Sequence, residues 1–232
     1  MKRFFAVGVL LAIACTRQTQ PEPAQTESQT PPSPPPTTSQ AAQPTLPNVA
    51  GPKLTPVDEG KRDASFAAYR HQLLDAVHRR DVDAVVALSD PKIRTSFGAG
   101  GGSAALRDAL ARPGAWDELA TILTHGGSFR EGMFWAPYVY SAWPESHDAF
   151  TSGAILGDSV PLHDAPNGKP IATLSYDIVK LEPAQHGWRR ITTFDGHSGY
   201  VEDALIRSPI ALRAGFLKEG EKWRMNALVS GD

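Results

Sequence analysis

The side chains able to do chemistry in this 232-residue chain are few, and their spacing suits little of it. Seven histidines raise the question of a metal, but none forms an i, i+4 pair or an HExxH string. A single cysteine cannot supply a thiolate set, so no metal and no cofactor is expected. His71 and His78 read as exposed residues of one helix. The strings GGSF (126–129) and GHSG (196–199) contain serines, yet neither is a GxSxG elbow, and His197 and Ser198 are neighbours whose side chains diverge on a strand. Gly98, Gly100, Gly101 and Gly102 precede a helix start without the lysine that a phosphate-cradling loop requires. The acid pairs Asp58-Glu59 and Asp117-Glu118 stand at helix starts, where negative charge complements the helix dipole. Cys15 is the only thiol. It closes an apolar run, residues 4–14, behind Lys2 and Arg3, a basic start and hydrophobic stretch that read as an export leader too short to span a bilayer. No catalytic activity is expected, and a cysteine nucleophile is excluded.

The string LLAIAC resembles a bacterial lipobox, with Ala12 where leucine is usual and Ile13 where a small residue is preferred. The resemblance implies a diacylglycerol on the Cys15 thiol, cleavage before it and acylation of the new amino terminus. It also implies residence in the bacterial cell envelope, on the periplasmic side or at the outer membrane. Thr16, in place of the aspartate that favours inner-membrane retention in enteric lipoproteins, points to the outer membrane.

Charge narrows the partners. Removing Lys2 and Arg3 with the leader leaves 21 basic against 25 acidic residues, a formal charge of −4. No dense Lys/Arg cluster exists to release counterions from a polyanion, so nucleic acid is not an expected partner. Residues 16–53 hold ten prolines and almost no large apolar side chains, a composition that cannot bury a core and reads as a solvated tether.

The elements that must position any site begin near Asp58. Phe66, Tyr69, Leu73 and Val77 recur at helical spacing, which predicts an amphipathic helix over 63–80. Asp81 caps a shorter helix that Pro91 ends. A third helix follows Ser103, and a fourth carries Trp116, Leu119 and Leu123 up to Gly126-Gly127. The string MFWAPYVYSAW reads as an extended edge segment, because Pro137 lacks a ladder donor. Short strands are predicted over 154–156, 160–162, 171–174, 178–181, 188–194 and 199–201, with turns at Asn167-Gly168 and Asp195-Gly196. ALRAGFLKEGEKWRMNALV makes a terminal hairpin around Glu219-Gly220-Glu221.

The pattern of Val160, Leu162, Pro166, residues 171–174, Ile178, Val179, Trp188, Ile191 and Gly199-Tyr200-Val201 resembles a bacterial SH3-like domain. The expected fold class is therefore α+β: an amino-terminal helical subdomain, a small all-β SH3-like barrel and a terminal β-hairpin. The corresponding boundaries are a signal peptide at 1–14, a lipid-anchored proline-rich disordered linker at 15–56, a mainly helical subdomain at 57–152, the barrel at 153–207 and the hairpin at 208–232. The resemblance implies a binding module for a cell-wall (peptidoglycan) peptide or an envelope protein. Trp188, Tyr200, Tyr176 and His163 are the candidate ligand-binding residues. FAAYRHQLLDAVHRRDVDAVVALSDPKIRTSF and FLKEGEKWRMNAL are similar to the start and end of nuclear-transport-factor-2-like α+β cones. That resemblance implies the alternative: a small-ligand-binding or enzymatic cone in which Trp116, Phe134, Trp135, Tyr138 and Trp223 line a cavity and the hairpin returns to the first helices. The oligomeric state is not legible.

Overall fold

Asp63 opens the first helix by accepting hydrogen bonds from the backbone N–H groups of Ser65 and Phe66 at 2.8 and 3.0 Å, donors that a helix start otherwise leaves orphaned. The helix it caps is α1 (Ala64–His78), whose apolar stripe buries Phe66, Tyr69, Leu73 and Val77. A computed structural model describes residues 46–98 and 100–231; the expected leader, Cys15 and the linker up to residue 45 lie outside the described residues. Among the described residues, no helix is long and apolar enough to cross a membrane.

Asp81 caps α2 (Val82–Ala87) through the N–H of Ala84. Pro91 does not end this helix, contrary to expectation. It lies inside β1 (Ser89–Arg94), an edge strand parallel to β12 (Lys222–Val229), where a missing donor is tolerated on the open side. After α3 (Gly102–Leu110) and α4 (Ala115–Thr124) come β2 (Ser128–Arg130), β3 (Met133–Ala136) and α5 (Tyr138–Ser141). The aromatic segment is thus not an edge. β3 pairs with β2 on one side and β11 (Arg213–Glu219) on the other, and Pro137 falls just past its ladder, as the N-cap of α5.

The terminal hairpin returns to the first helices, as the cone-like resemblance implied. Its strands complete a five-stranded sheet, β1-β12-β11-β3-β2, one face of which packs on α1 to α4. Phe66 stands at the centre, its ring 4.3 Å from Phe134, 4.9 Å from Trp223 and 5.4 Å from Phe216. Ring pairs at these spacings add dispersion and quadrupole attraction to the burial of apolar area.

The six strands expected between residues 154 and 201 all form, as β4 (Ser152–Ile155), β5 (Val160–His163), β6 (Pro170–Leu174), β7 (Ile178–Leu181), β8 (Trp188–Thr193) and β9 (Ser198–Glu202). They do not form the expected SH3-like barrel. With β10 (Ile206–Arg207) they make an open sheet, β10-β4-β7-β8-β9-β5-β6, and no ladder joins its edges among the described residues. One reason is that the free side of β6 is occupied. Asn48 bridges Thr173 in parallel, the N–H of Val49 donates to the Thr173 carbonyl, and the N–H of Thr173 donates to that of Pro47.

That contact also moves the expected end of the linker. Residues 47–57 belong to the folded body as a strap along the second sheet, with Val49 and Leu54 buried. Lys53 pairs with Asp177 at 2.7 Å, the carboxylate being 1 % exposed and also accepting from the Ser175 N–H at 2.6 Å. Prolines suit this role because they need only accept: Pro47 and Pro52 take the N–H groups of Thr173 and Ile178. Leu54, Tyr138, Val139, Ala154 and Ile178 form a small core of their own.

Candidate functional site

Three local decisions of the chain create a cleft beside that small core. The first is the end of α4. His125 is its C-cap, and the ring Nδ1 lies 2.8 Å from the Thr121 carbonyl, so Nδ1 carries the proton and donates, leaving Nε2 as an acceptor in the neutral ring. Gly126 follows with φ +66°, and a Cβ there would strike the carbonyl oxygen of Val57; only glycine lets the strap approach, and Gly127 then exchanges backbone hydrogen bonds with Val57 and Glu59. The second is Pro137, which turns β3 into α5 and buries Tyr138. The third is the tight turn between β6 and β7, where Tyr176 adopts φ +54° and its carbonyl accepts from the Leu54 N–H at 2.7 Å.

The result is a cleft of about 330 Å³ with Tyr138, Tyr176, His125, Thr124, Asp58 and Lys61 among its walls and Val57 and Leu156 supplying apolar surface. Asp58 is committed to the fold through both guanidinium nitrogens of Arg70 at 2.8 and 2.9 Å. Tyr138 is not. Its hydroxyl is buried and has no hydrogen-bond partner among the described residues, a condition that costs about 1–3 kcal/mol for a desolvated polar group. Burial, and secondarily the neighbouring Tyr176 phenol, push the Tyr138 pKa up to about 12, so the group is a donor at neutral pH. Tyr69 makes the contrast. Burial raises its pKa as well, but its hydroxyl donates to the Leu88 carbonyl at 2.8 Å.

Of the four ligand-binding residues expected from sequence, the structure brings three together. His163 opposes Tyr200 across β5 and β9, its ring meets that of Trp188 edge-on at 5.2 Å, and Trp188 and Tyr200 line a cleft of about 230 Å³ with Arg190, Glu182, Gln185 and His186. The charges there are internally matched, Arg190 bonding Glu182 at 2.6 Å. Tyr176 lies in the other cleft. Of the rings expected to line a cone cavity, Phe134 and Trp223 are solid core, Trp116 packs partly buried against that core, and Trp135 meets Tyr140 edge-on at 5.2 Å. Only Tyr138 lines the 330 Å³ cleft. His125 and the strap were missed by sequence reasoning; the THGG string at the end of α4 was their one signal. Among the described residues no three His, Cys, Asp or Glu side chains gather as a metal set.

No known protein family matches the chain, and no curated protein does. Three chains of solved structures match. The chain is similar to a five-substitution variant of a protein titled Rd1NTF2_05, with 14 % identity, 71 % of this chain and 95 % of that chain covered and a TM-score of 0.28. It is also similar to an NTF2-like protein of unknown function from Pseudomonas putida KT2440, with 10 % identity, 75 % and 87 % covered and a TM-score of 0.25. Neither is titled SH3-like, and the open sheet described above has already removed the barrel.

Proposed function

We propose that this protein binds a small polar ligand in the cleft between Tyr138, Tyr176 and His125, without catalysis, and that it does so while moored to a bacterial envelope membrane by lipid on Cys15. One observation carries the binding site: a buried phenol with no partner among the described residues, beside a cleft of about 330 Å³. A buried donor is retained against its desolvation cost when a ligand completes its hydrogen bond. The chemistry specifies the ligand class. Tyr138 offers a donor, the His125 Nε2 an acceptor and Lys61 a cation at the rim, so a compact molecule carrying both an acceptor oxygen and a hydroxyl or amide N–H fits.

The test is ligand-observed NMR of the purified chain against a library of small hydroxylated and amide compounds, repeated with Tyr138→Phe and Tyr176→Ala. Hits are expected to weaken about tenfold or more in Tyr138→Phe, the loss of roughly one hydrogen bond. A library that yields no hit, or hits indifferent to both substitutions, contradicts the proposal.

A second reading is favoured by the meeting of Trp188, Tyr200 and His163: an extended cell-wall or envelope peptide laid on the smaller cleft. Co-sedimentation with isolated cell-wall sacculi, reduced by Trp188→Ala or Tyr200→Ala, is its expected signature, and equal pelleting of all three proteins would dismiss it.

A further inference from the structure

Three buried side-chain polar atoms lack a partner among the described residues: the Tyr138 hydroxyl, the Nε of Arg213 and the Oδ1 of Asn226. The last two belong to the face of the five-stranded sheet opposite the helices. Arg213 is 4 % exposed and always charged. No carboxylate among the described residues pairs with it, and its one hydrogen bond there, from Nη1 to the Ile210 carbonyl, is 3.5 Å long. Its guanidinium is held by rings instead, 4.4 Å from the centroid of Tyr140 and 5.2 Å from that of Phe97. Arg130 brings a second guanidinium to Tyr140 at 5.8 Å, and the Trp135 ring adjoins Tyr140 and covers Gly215.

The same chain shows how it neutralises a buried arginine when the partner is internal. Arg207, 7 % exposed, bonds Glu118 Oε1 and the Leu212 carbonyl, each at 2.6 Å. Arg213 has the burial without a carboxylate partner among the described residues, and a desolvated cation without a counter-charge is strongly unfavourable. Cation–π contact offsets part of that and uses none of the in-plane N–H groups, the ones that fork onto an oxyanion, of which Nε–H has no partner among the described residues. Asn226 lies on the same face at a bulge in β12, its Nδ2 held only by the weak acceptor Met133 Sδ at 3.9 Å; turned over, its amide donates.

We infer that Arg213, with Arg130, is an oxyanion site, taking the carboxylate or phosphate of a small molecule whose apolar body lies against Phe97, Tyr140 and Trp135. It is separate from the cleft at Tyr138 and does not depend on that reading.

The test is thermal unfolding of the full chain in sodium benzoate, sodium acetate, sodium phosphate and sodium chloride at matched ionic strength. A ligand that binds the folded state raises the melting temperature with the logarithm of its concentration. Benzoate or phosphate is expected to do so beyond chloride, the stronger of the two identifying a carboxylate with an aromatic body or a bare phosphate as the preferred chemistry. Arg213→Met is expected to melt at or above wild type in chloride and to lose the anion response, and Arg130→Gln, an exposed site, to weaken the response about tenfold. Anions no better than chloride overturn the inference, as does a full response in Arg130→Gln. An Arg213→Met protein that folds less stably than wild type also overturns it, since that would show a guanidinium satisfied within the fold.

Discussion

Tyr138 makes the sharpest prediction at the scale of single residues, because removing an unpartnered buried hydroxyl differs from removing a bonded one. Tyr138→Phe is expected to leave stability unchanged or raise it by up to about 1–3 kcal/mol, measured by equilibrium denaturation. The same phenol shapes the alkaline limit. Its pKa is raised in the folded chain from 10.0 to about 12, so the folded state holds a proton that the unfolded state releases between those values, and stability falls as pH rises through that window. Tyr138→Phe should flatten this limb; an unchanged limb would show that the hydroxyl is solvated. Lys53 predicts the opposite. Replacing it with methionine leaves Asp177 buried with one remaining N–H partner, and the expected loss is about 2 kcal/mol, below the roughly 3–5 of a fully buried pair because the Lys53 side chain is 35 % exposed to water.

Among the elements, the strap over residues 47–57 has the most consequence for the cleft, since Val57 forms its wall and Leu54 sits in the core beside it. Leu54→Ala is expected to cost about 2–5 kcal/mol and to raise hydrogen exchange at the β6–β7 turn. The strap is also fastened by Asp195, whose Oδ2 accepts from the Ala50 N–H at 2.9 Å. Hydrogen bonds from Thr193 and then His197 hold that carboxyl well below its ordinary 3.8. A depressed pKa contributes stability that is present above the ordinary value and lost as pH falls below it, so Asp195→Ala should flatten the acid limb of a stability profile. The helices, the strand half and the hairpin were legible in sequence because their signals are local: Asp63 and Asp81 as caps, the Phe66-Tyr69-Leu73-Val77 stripe, the alternation around Gly220. Beside the aromatic string, read as an edge but forming the inner strand β3 and α5, three features were not. β1 contains Pro91 and pairs in parallel with a strand more than a hundred residues away, and no local pattern encodes that. The strap reads as tether because its composition is that of one, its order coming from backbone hydrogen bonds with the second sheet in which the Pro47 and Pro52 carbonyls accept and the Val49 and Leu54 N–H groups donate. The sheet's openness depends on what covers β6, which the spacing of 160–201 cannot report. Of the cleft, Tyr138 and Tyr176 were visible as separate candidates, while their meeting with His125 is tertiary.

At the scale of the whole molecule, three cores share one body, the aromatic one between the helices and the five-stranded sheet, the aliphatic one on the second sheet, and a small third one that includes Leu54 and Tyr138, beside which the proposed site lies. The proposed mooring is tested in cells of the native host fed a labelled fatty acid. Label is expected on the wild-type chain in the membrane fraction and absent from Cys15→Ser; unlabelled wild-type protein would remove the anchor without touching the cleft. The cleft itself is tested most directly by diffraction from crystals of the chain purified from that host without denaturation. Non-protein density within hydrogen-bond distance of the Tyr138 hydroxyl and contacting Tyr176 or His125 is the predicted result. A hydroxyl bonded to a protein group, or to an ordered water alone, would contradict it.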